Sequence, residues 1–326
     1  MEKTMGIHKR VSRSKKNAVR TDVRGFAKLK LDLRKNYDMY LLLIPGLVLL
    51  ILFKYVPMYG ITIAFQDFSI FKGISESDWV GWANFAKLFS SEEFFQIFRN
   101  TLLISLYKLA VTFPLPIFIA LVLNEIKRMT YKKVVQTVIY MPHFLSWVVV
   151  AGMFTAILST SNGLINNIIA ALGGEAVPFM MSKSWFRTIL VVSEAWKGMG
   201  WGAIIYIAAI SGIDQEMYEA AALDGAGRLR QILHITLPNL TSTIVLMLIL
   251  RLGKILDAGT EQILMMYNPA VYEVSDVIGT YVYRMGIGKM DYSFSTAVGL
   301  FNSVVGCILV MGGNYLSGKM TNKSIW

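Results

Sequence analysis

EAAALDGAGRLRQILHITLP, residues 219–238, connects two of the most apolar segments of the chain. The stretch reads as a helix of small residues, a glycine break, a basic amphipathic helix and a proline. Each flanking segment is long enough to cross a hydrocarbon core, which takes roughly 20 helical residues. The stretch is therefore predicted to be a water-exposed connection between two membrane helices.

The composition of the whole chain agrees with this interpretation. Of its 326 residues, 55% are hydrophobic and only 16% are charged, whereas soluble domains carry about 25% charged residues. Several apolar runs of transmembrane length predict an all-α membrane protein with six transmembrane helices. The predicted spans are residues 39–57, 99–124, 133–158, 187–212, 238–258 and 292–317.

The positive charge of the chain is concentrated near its N-terminus. The net charge is +11, and 12 of the 32 lysines and arginines fall within the first 36 residues. A basic segment before a first membrane helix orients the chain and attracts anionic lipid headgroups. Because no RNA- or DNA-binding motif accompanies the charge, the predicted partner of this tail is membrane lipid and not nucleic acid.

The connections differ in charge, and this difference predicts the topology. The connection between the second and third spans and the one between the fourth and fifth are basic, whereas residues 58–98 carry five acids against two lysines. By the positive-inside rule, both termini are cytoplasmic. The predicted organisation is a basic cytoplasmic tail (1–36) and a transmembrane domain (37–326), with an extracytoplasmic segment (58–98) and a cytoplasmic loop (213–238).

Three connections are predicted to lie on the outer side. Residues 58–98 combine apolar and aromatic residues with Gly and Asp turns, which predicts short extended pieces followed by a small helix. Residues 159–186 and 259–291 are rich in Asn, Ser, Tyr and Gly. These two connections either receive a soluble partner or cap the helix bundle, and capping is favoured for most of their residues.

Neither a disulfide nor a metal site is expected. Cys307 is the single cysteine, and His8, His143 and His234 lie far apart in the sequence. The phosphate-binding motif Gly-x-x-x-x-Gly-Lys-Ser/Thr is also missing, because "GAGRLR" lacks the Lys-Ser/Thr pair. No cofactor is expected in this chain, and if the protein uses ATP and Mg, another chain must bind them.

The local signals within residues 213–238 predict two helices and a sharp turn. Asp214 is a good N-cap, and Glu216 follows in the first turn, where the helix dipole favours an anion. Gly225 is predicted to end the first helix with a positive φ. A second helix starts near Leu229, and Pro238 is placed in the first turn of the next membrane helix, where its missing N–H is tolerated.

These residues resemble the EAA loop of permease subunits of binding-protein-dependent ABC importers. That loop runs Glu-Ala-Ala, three residues, Gly, nine residues, Ile-x-Leu-Pro. The matching positions here are Glu219, Ala220, Ala221, Gly225, Ile235, Leu237 and Pro238.

Other segments resemble the sugar-importer branch of the same family. They are "FKYVPMYGITIAFQDFS" (53–69), "WVGWANF" (79–85), "YMPHFLSWVV" (140–149) and the ending "NKSIW". Within that branch they look most like permeases of the polysaccharide or complex-oligosaccharide type, such as importers of alginate or pectin fragments. The resemblance covers nearly the whole chain from about residue 36.

The resemblance implies a type I ABC importer permease bundle in the bacterial plasma membrane. The chain would supply half of the pathway for a saccharide and contain no catalytic residue. The implied partners are a second homologous permease, two ATPase subunits that bind ATP and Mg, and an extracytoplasmic solute-binding protein. The EAA helix would be a coupling helix in a cleft of the ATPase, with Glu219 making polar contacts, the alanines allowing deep seating and Gly225 setting the turn.

Charged residues inside the predicted spans mark a candidate substrate pathway, since such residues usually face a bundle interior or water. The basic ones are Lys54, Lys108, Lys197, Arg251 and Lys254. Lys54 is near a helix end and is expected to snorkel. Glu194 either neutralises Lys197, three residues away on the same helix face, or contacts substrate.

Two tryptophans complete the candidate pathway. Trp196 and Trp201 flank Gly198–Gly200 and have aromatic faces suited to sugar rings, although each is also compatible with an interfacial or core position. The excess of positive charge in the spans leads to the hypothesis that the cargo is an acidic saccharide such as a uronate oligomer. The predicted pathway residues are Glu194, Trp196, Lys197, Trp201, Arg251 and Lys254.

Two other functional classes fit less well. An ion-gradient-driven secondary transporter predicts inverted repeats or paired intramembrane acids, but Glu194 is the only acid deep in a predicted span and no repeat is found. A membrane-embedded enzyme would need a His/Asp/Ser or metal constellation inside the spans, and the sequence has none.

Overall fold

A computed structural model describes residues 32–321. Most of the predicted tail 1–36 and the end of the chain lie outside these residues. The chain divides into two units, Met1–Tyr59 and Gly60–Trp326. Helix α1 (Tyr37–Leu50) belongs to the first unit and continues through a π turn into a 3₁₀ segment, Val56–Phe65. Its sequence YLLLIPGLVLL carries apolar side chains on every side, as expected of a helix in lipid.

The second unit is mostly helical. Its small elements before the first long helix are β1 (Gln66–Asp67), α2 (Gly73–Glu76), β2 (Asp78–Trp79) and α3 (Ala83–Phe89). The later helices are α4 (Glu92–Thr112), α5 (Pro114–Glu125), α6 (Met129–Tyr140), α7 (Trp147–Ile157), α8 (Leu164–Ala171), α9 (Lys183–Ser211), α10 (Gln215–Leu223), α11 (Arg228–Gln231), α12 (Leu237–Leu252), α13 (Thr260–Met266), α14 (Tyr272–Ser275), α15 (Ile278–Tyr283) and α16 (Tyr292–Thr321).

Within residues 32–321, four helical segments are long and apolar enough to cross a membrane: Tyr37–Phe65, Glu92–Glu125, Arg228–Leu252 and Tyr292–Tyr315. The predicted third span, 133–158, is broken by a 101° bend between Met129–Phe144 and Trp147–Ile157. The predicted fourth span corresponds to α9. This helix has 29 residues, but its mean hydropathy is too low for it to count among these four segments. The structure therefore supports four or five spans by length and composition, and six spans stay a prediction.

Pro238 is the second residue of α12 and so lies in the first turn of that helix, as predicted, but the residues before it are also helical. Helices α11 and α12 are joined by a π turn, Ile232–Thr236, and form one segment that we call the rod (Arg228–Leu252). A proline lacks an N–H and collides with the carbonyl four residues earlier in an α-helix. In the π turn the Leu237 N–H bonds to the Ile232 carbonyl, five residues back, and this altered ladder precedes Pro238 directly.

The predicted fifth span, 238–258, extends beyond the end of the helix that is observed there. The rod stops at Leu252, and the chain continues through a 3₁₀ turn, Ile255–Asp257, to Ala258 and Gly259. Both residues have positive φ angles, 51° and 76°, so no helix continues through them. Hydropathy alone missed this end, because the residues after Leu252 include apolar Ile255 and Leu256.

The segment before α4 has the predicted character. Strands β1 and β2 pair antiparallel, with Gln66 opposite Trp79 and Asp67 opposite Asp78. Phe65 stacks on Trp79 with ring centroids 5.7 Å apart. Helix α3 then follows, as the sequence predicted, whereas the outer location of the segment stays a prediction.

The connection 259–291 packs into the core of the second unit. Val277, Ile278 and Thr280 are fully buried. Arg284 holds this connection to the start of α4, because it pairs with Asp276 and, at 3.0 Å, with Glu93. Burial alone would lower the pKa of Arg284, but these two carboxylates outweigh it and raise that pKa. The buried side chains favour the capping interpretation of this connection.

Helix α9 packs closely against α6 at Gly200. A Cβ at this position would collide with the backbone carbonyl of Ile139, whereas a Cβ at Gly198 would meet nothing within 4 Å. We expect Gly200→Ala to lower the stability of the folded protein by about 1–3 kcal/mol, the usual range for overpacking. Gly198→Ala should be neutral or stabilising by up to about 1 kcal/mol, because alanine favours a helix.

Thermal unfolding of the two detergent-purified variants measures this difference. Both substitutions add one methyl group to the same helix, so Gly198→Ala is the matched control. Equal unfolding midpoints for the two variants would show that α9 and α6 do not approach as closely as the structure places them.

Candidate functional site

Three charged side chains from three helices meet inside the second unit. Lys108 on α4 lies 2.7 Å from one carboxylate oxygen of Glu194 on α9, measured from Nζ to Oε2. Arg251, at the end of the rod, lies 2.7 Å from the other oxygen, measured from Nη2 to Oε1. We call these three residues the charged triad. Each oxygen of Glu194 thus faces one cation, an arrangement that offsets the cost of burying charge.

Lys108 is the most enclosed member of the charged triad, with 3% of its side chain exposed. Besides facing Glu194, its ammonium donates to the Ala258 carbonyl at 2.7 Å and to the Gln262 side-chain oxygen. The ammonium thus donates two hydrogen bonds, and the Glu194 carboxylate beside it forms an ion pair with it. The Gln262 amide group is itself fixed, since it donates to Leu190 and Ser193 of α9.

Gly259 leaves room for this arrangement. Its φ is +76°, and a Cβ there would collide with Lys108 Nζ and lie 3.2 Å from Glu194 Oε2. The preceding residue, Ala258, also has a positive φ of 51°. A positive φ is uncommon for alanine and marks local backbone strain. The strained residue is the one whose carbonyl accepts from Lys108.

Arg251 is the exposed member of the charged triad, with 44% of its side chain accessible. Its Nη2 also donates to Thr112 Oγ1 at 2.9 Å. Lys254 follows about one turn later and is exposed. Among residues 32–321, its ammonium has no carboxylate partner within 4.0 Å. Two cationic groups are therefore accessible at the end of the rod.

Two cavities meet at this point. The larger one has a volume of about 520 Å³ and the smaller one about 110 Å³. Glu194, Arg251 and Lys254 line both of them. A volume of about 300–1,000 Å³ is typical of a small-molecule site. The larger cavity therefore has the size of a ligand site and carries charge on its wall.

An aromatic pair forms another part of the wall of the larger cavity. The His143 and Trp201 rings are stacked, with centroids 4.4 Å apart and planes 2° from parallel. His143 lies at the bend between α6 and α7. Lys197 Nζ donates to the His143 carbonyl at 2.7 Å and lies over the Trp147 ring. Lys197 thus holds the bend that presents His143.

The structure brings together four of the six predicted pathway residues. Glu194, Trp201, Arg251 and Lys254 line the larger cavity. Trp196 packs against Phe154 of α7 instead. The expected pair of Glu194 with Lys197 is not formed in the described part of the chain, because Lys108 and Arg251 reach Glu194 from neighbouring helices. Trp196 and Lys197 therefore have packing roles here.

The sequence did not predict which residues contact the members of the charged triad. Lys108 was one of the intramembrane charges, but its contacts with Ala258 and Gln262 join residues 150 and 154 positions apart. His143 was considered as a metal ligand and as part of the stretch YMPHFLSWVV, but it was not among the predicted pathway residues. No periodicity or local motif identifies such pairs, since they depend on how α4, α9 and the segment after the rod pack.

The second candidate region is the loop around α10, which lies between the end of α9 and the start of the rod. Asp214 Oδ1 accepts the Glu216 N–H at 3.0 Å, and Gly225 has φ +76°. The predicted N-cap and glycine stop are both confirmed. Gly225 separates two exposed leucines, Leu223 at 90% and Leu229 at 70% exposure. Two such leucines on one short loop form an apolar surface that a partner can cover.

Two contacts fix this loop to the helices. The hydroxyl groups of Tyr218 on α10 and Thr236 in the rod are hydrogen-bonded at 2.9 Å. Arg228, the first residue of the rod, pairs with Glu125 at the end of α5 at 3.2 Å. The loop is therefore attached to the rod through Tyr218, and the first residue of the rod is attached to the end of α5.

The predicted motif residues divide between loop and rod. Glu219 and Ala220 are exposed on α10, and Ala221 is half-buried. Gly225 is exposed in the turn, whereas Ile235, Leu237 and Pro238 lie in the rod. The exposed part of the motif on α10 and the part in the rod are consequently joined through the turn at Gly225.

Comparison with known proteins identifies the family. Residues 112–321 match the family described as "Binding-protein-dependent transport system inner membrane component". This match covers more than half of the chain and includes α5–α16. The chain belongs to this family. The permease is accordingly a transport subunit of the inner membrane and not an enzyme, and the ion-gradient alternative is set aside.

Individual relatives place the permease in the saccharide branch of the family. It is 46% identical over 294 residues to protein LplB of Bacillus subtilis, covering 90% of this chain and 92% of LplB. It is 45% identical over 299 residues to the "Polygalacturonan/rhamnogalacturonan transport system permease protein YteP" of the same organism, covering 92% and 93%.

A solved structure shares the fold. A chain of a bacterial alginate ABC transporter, crystallised with an alginate pentasaccharide-bound periplasmic protein, superposes with a TM-score of 0.84 at 39% identity. The match covers 91% of the permease and 100% of that chain. The permease therefore has the type I ABC permease fold. Within residues 32–321 it contains no group of three or more His, Cys, Asp or Glu residues suited to a metal.

Proposed function

We propose that the permease forms half of the pathway of an ATP-driven importer for acidic oligosaccharides. The observation that carries this proposal is the larger cavity, whose wall presents Arg251 and Lys254 beside the stacked ring of Trp201. The names of two similar proteins support it, since YteP is a polygalacturonan/rhamnogalacturonan transport permease and the solved relative is an alginate transporter. Both of those polymers are built partly or wholly from uronates.

The cavity chemistry suits a chain of uronate rings. A guanidinium group binds a carboxylate through two parallel hydrogen bonds, and a lysine ammonium adds a second positive charge. Aromatic faces such as that of Trp201 can stack on the C–H face of a sugar ring, and the surrounding polar groups can meet its hydroxyls. The net charge of Arg251, Lys254, Lys108 and Glu194 together is positive, so an anionic cargo is favoured over a cationic one.

The loop around α10 is the proposed coupling site. Helix α10 would seat in a cleft of an ATPase subunit, with Glu219 making polar contacts at the rim and Ala220 and Ala221 allowing close approach. Leu223 and Leu229, now exposed, would be covered there. ATP and Mg would bind in the ATPase subunits, and the closure of those subunits would move the rod.

The complete importer would contain more chains. One coupling loop and one set of spans supply half of a pathway, so we propose a second homologous permease, two ATPase subunits and an extracytoplasmic solute-binding protein. The permease would cross the plasma membrane six times, with both termini and residues 213–238 in the cytoplasm. The basic tail 1–36 would contact anionic lipid.

Uptake by the importer reconstituted in liposomes tests the cargo. We expect import of galacturonate or alginate trisaccharides, with the methyl esters of the same sugars, which lack the charge, imported poorly. Arg251→Gln and Lys254→Gln should each lower uptake of the acid about tenfold or more, because a hydrogen bond to a charged group contributes about 1.5–3 kcal/mol.

The control variant is Lys72→Gln, which removes an exposed lysine that pairs with Asp78 on the β1–β2 hairpin. It should leave uptake within about twofold of the unmodified importer, since exposed ion pairs contribute little. Equal uptake of acid and methyl ester, or unchanged uptake by both cavity variants, would refute an acidic cargo.

A further inference from the structure

The two cations that share Glu194 are held very differently. Lys108 is enclosed and has three oxygen partners, whereas Arg251 is 44% exposed and lines the larger cavity. Both hydrogen bonds of Arg251 use the same nitrogen, Nη2, which donates to Glu194 and Thr112. No acceptor for Nε or Nη1 is found among residues 32–321, so this side of the guanidinium is accessible from the cavity.

A carboxylate entering the cavity would compete with Glu194 for Arg251. The guanidinium fork binds a carboxylate best through two nitrogens at once, and Glu194 uses only one. Glu194 does not lose its last partner when Arg251 leaves, because Lys108 still lies 2.7 Å from its other oxygen. The exchange therefore leaves no unpaired charge behind, which is the condition that usually makes breaking a buried pair expensive.

The Glu194–Arg251 pair also connects two helices that differ in their attachments. Glu194 belongs to α9, and Arg251 lies at one end of the rod. The opposite end of the rod is Arg228, which joins the loop around α10. A helix rises 1.5 Å per residue, so a contact made by Arg251 acts on a rigid element roughly 37 Å long.

We propose that Glu194 is a positioning residue that holds Arg251 until the carboxylate of an acidic saccharide replaces it. In the cargo-free permease the pair fixes the end of the rod to α9. Cargo binding releases that end, so that the rod and its loop move more readily when the ATPase closes. The inference rests on the proposed function, and it adds that Glu194 makes ATP use depend on the charge of the cargo.

Neutral saccharides would release the pair poorly. A sugar hydroxyl carries no charge and offers a single oxygen, so it lacks both the ionic attraction and the two-oxygen geometry with which a carboxylate binds a guanidinium. A neutral sugar of the same shape can therefore occupy the cavity without displacing Glu194. Discrimination between acid and ester then arises in the stimulation of ATP hydrolysis as well as in binding.

Glu194→Gln in the complete reconstituted importer tests the proposal. Glutamine keeps the length of the side chain but replaces one carboxylate oxygen by an NH₂ donor, so one of the two cations, which face different oxygens, loses its acceptor. We expect cargo-free ATP hydrolysis to rise about fivefold or more, within the usual range of coupling between two sites. Stimulation by binding protein loaded with galacturonate or alginate trisaccharide should be largely lost, and Glu194→Asp should retain part of it.

The matched control is Glu273→Gln, which makes the same chemical change at an exposed ion pair with Lys183. It should leave cargo-free hydrolysis and its stimulation unchanged. Arg251→Gln breaks the pair from the other side, so it should also raise cargo-free hydrolysis, and the double variant should add nothing further. If the Glu194→Gln importer does not assemble, the cargo-free ATPase rate of Arg251→Gln decides the test.

The outcomes separate the two levels of the proposal. If the unmodified importer takes up neither acidic trisaccharide, the proposed function fails. If it takes them up but cargo-free hydrolysis is unchanged in Glu194→Gln, or in Arg251→Gln where the former does not assemble, the role of Glu194 fails and the function stands. If Glu194 had a purely structural role, its replacement would lower both assembly and ATP hydrolysis. The ratio of the ATPase rate with loaded binding protein to the cargo-free ATPase rate would then stay unchanged, and that result also overturns the proposal.

Discussion

Replacing Gly225 by valine is expected to abolish cargo uptake while the membrane helices stay folded. Gly225 has φ +76°, a conformation that disfavours residues with a Cβ by about 1–2 kcal/mol and β-branched residues most. A Cβ at this position would meet nothing within 4 Å. The effect must therefore come from the backbone, which would turn differently between α10 and the rod.

A changed turn would separate the surfaces on either side of it. Leu223 and Leu229 flank Gly225, and the proposed contact with the ATPase requires both in one cleft. Uptake and cargo-stimulated ATP hydrolysis by the reconstituted importer measure the loss. Gly225→Asn is the matched control, because asparagine tolerates a positive φ better than other residues with a side chain. If the valine and asparagine variants transport equally well, the turn is not part of the coupling site.

Lys108→Met is expected to have the largest effect on stability. The ammonium of Lys108 is buried and faces the Ala258 carbonyl, the Gln262 side chain and Glu194. Glu194 would keep only Arg251, and the buried Ala258 carbonyl and Gln262 oxygen would each lose their donor, at a cost of about 1–3 kcal/mol for each unpaired group. We therefore expect a strong loss of purified protein and a much lower unfolding midpoint.

Thermal unfolding in detergent compares this variant with Lys183→Met. Lys183 makes an exposed pair with Glu273, and loss of an exposed pair changes stability by about 0–1 kcal/mol. The two variants make the same chemical change and differ only in burial. A similar midpoint for both would mean that Lys108 is not the buried centre of the charged triad.

Several local features of the structure could be predicted from short stretches of the sequence. The N-cap at Asp214 and the stop at Gly225 depend on residues within one helical turn, and both were predicted correctly. Pro238 was correctly placed in the first turn of α12, but the sequence did not predict that the preceding helix runs into α12, because the π turn between them cannot be recognised from composition.

Contacts between distant segments account for what the sequence did not predict. The sequence left open whether Glu194 pairs with Lys197, three residues away, or contacts substrate, and packing places Lys108 and Arg251 against it instead. Trp196 and Trp201 have the same residue type and similar sequence surroundings. Only Trp201 lines the larger cavity, since helix orientation decides which face of α9 turns inward.

The π turn Ile232–Thr236 has a geometric consequence for the rod. Each residue of an α-helix rotates the chain by about 100°, so a turn that contains one additional residue resets the angle between the two parts of the rod. This turn therefore determines the angle between the direction of the loop around α10 and the direction of Arg251. Converting this turn into a regular α-helix with the same number of residues would preserve every motif residue and every charge of the triad, yet rotate the two ends of the rod relative to each other by roughly 100°.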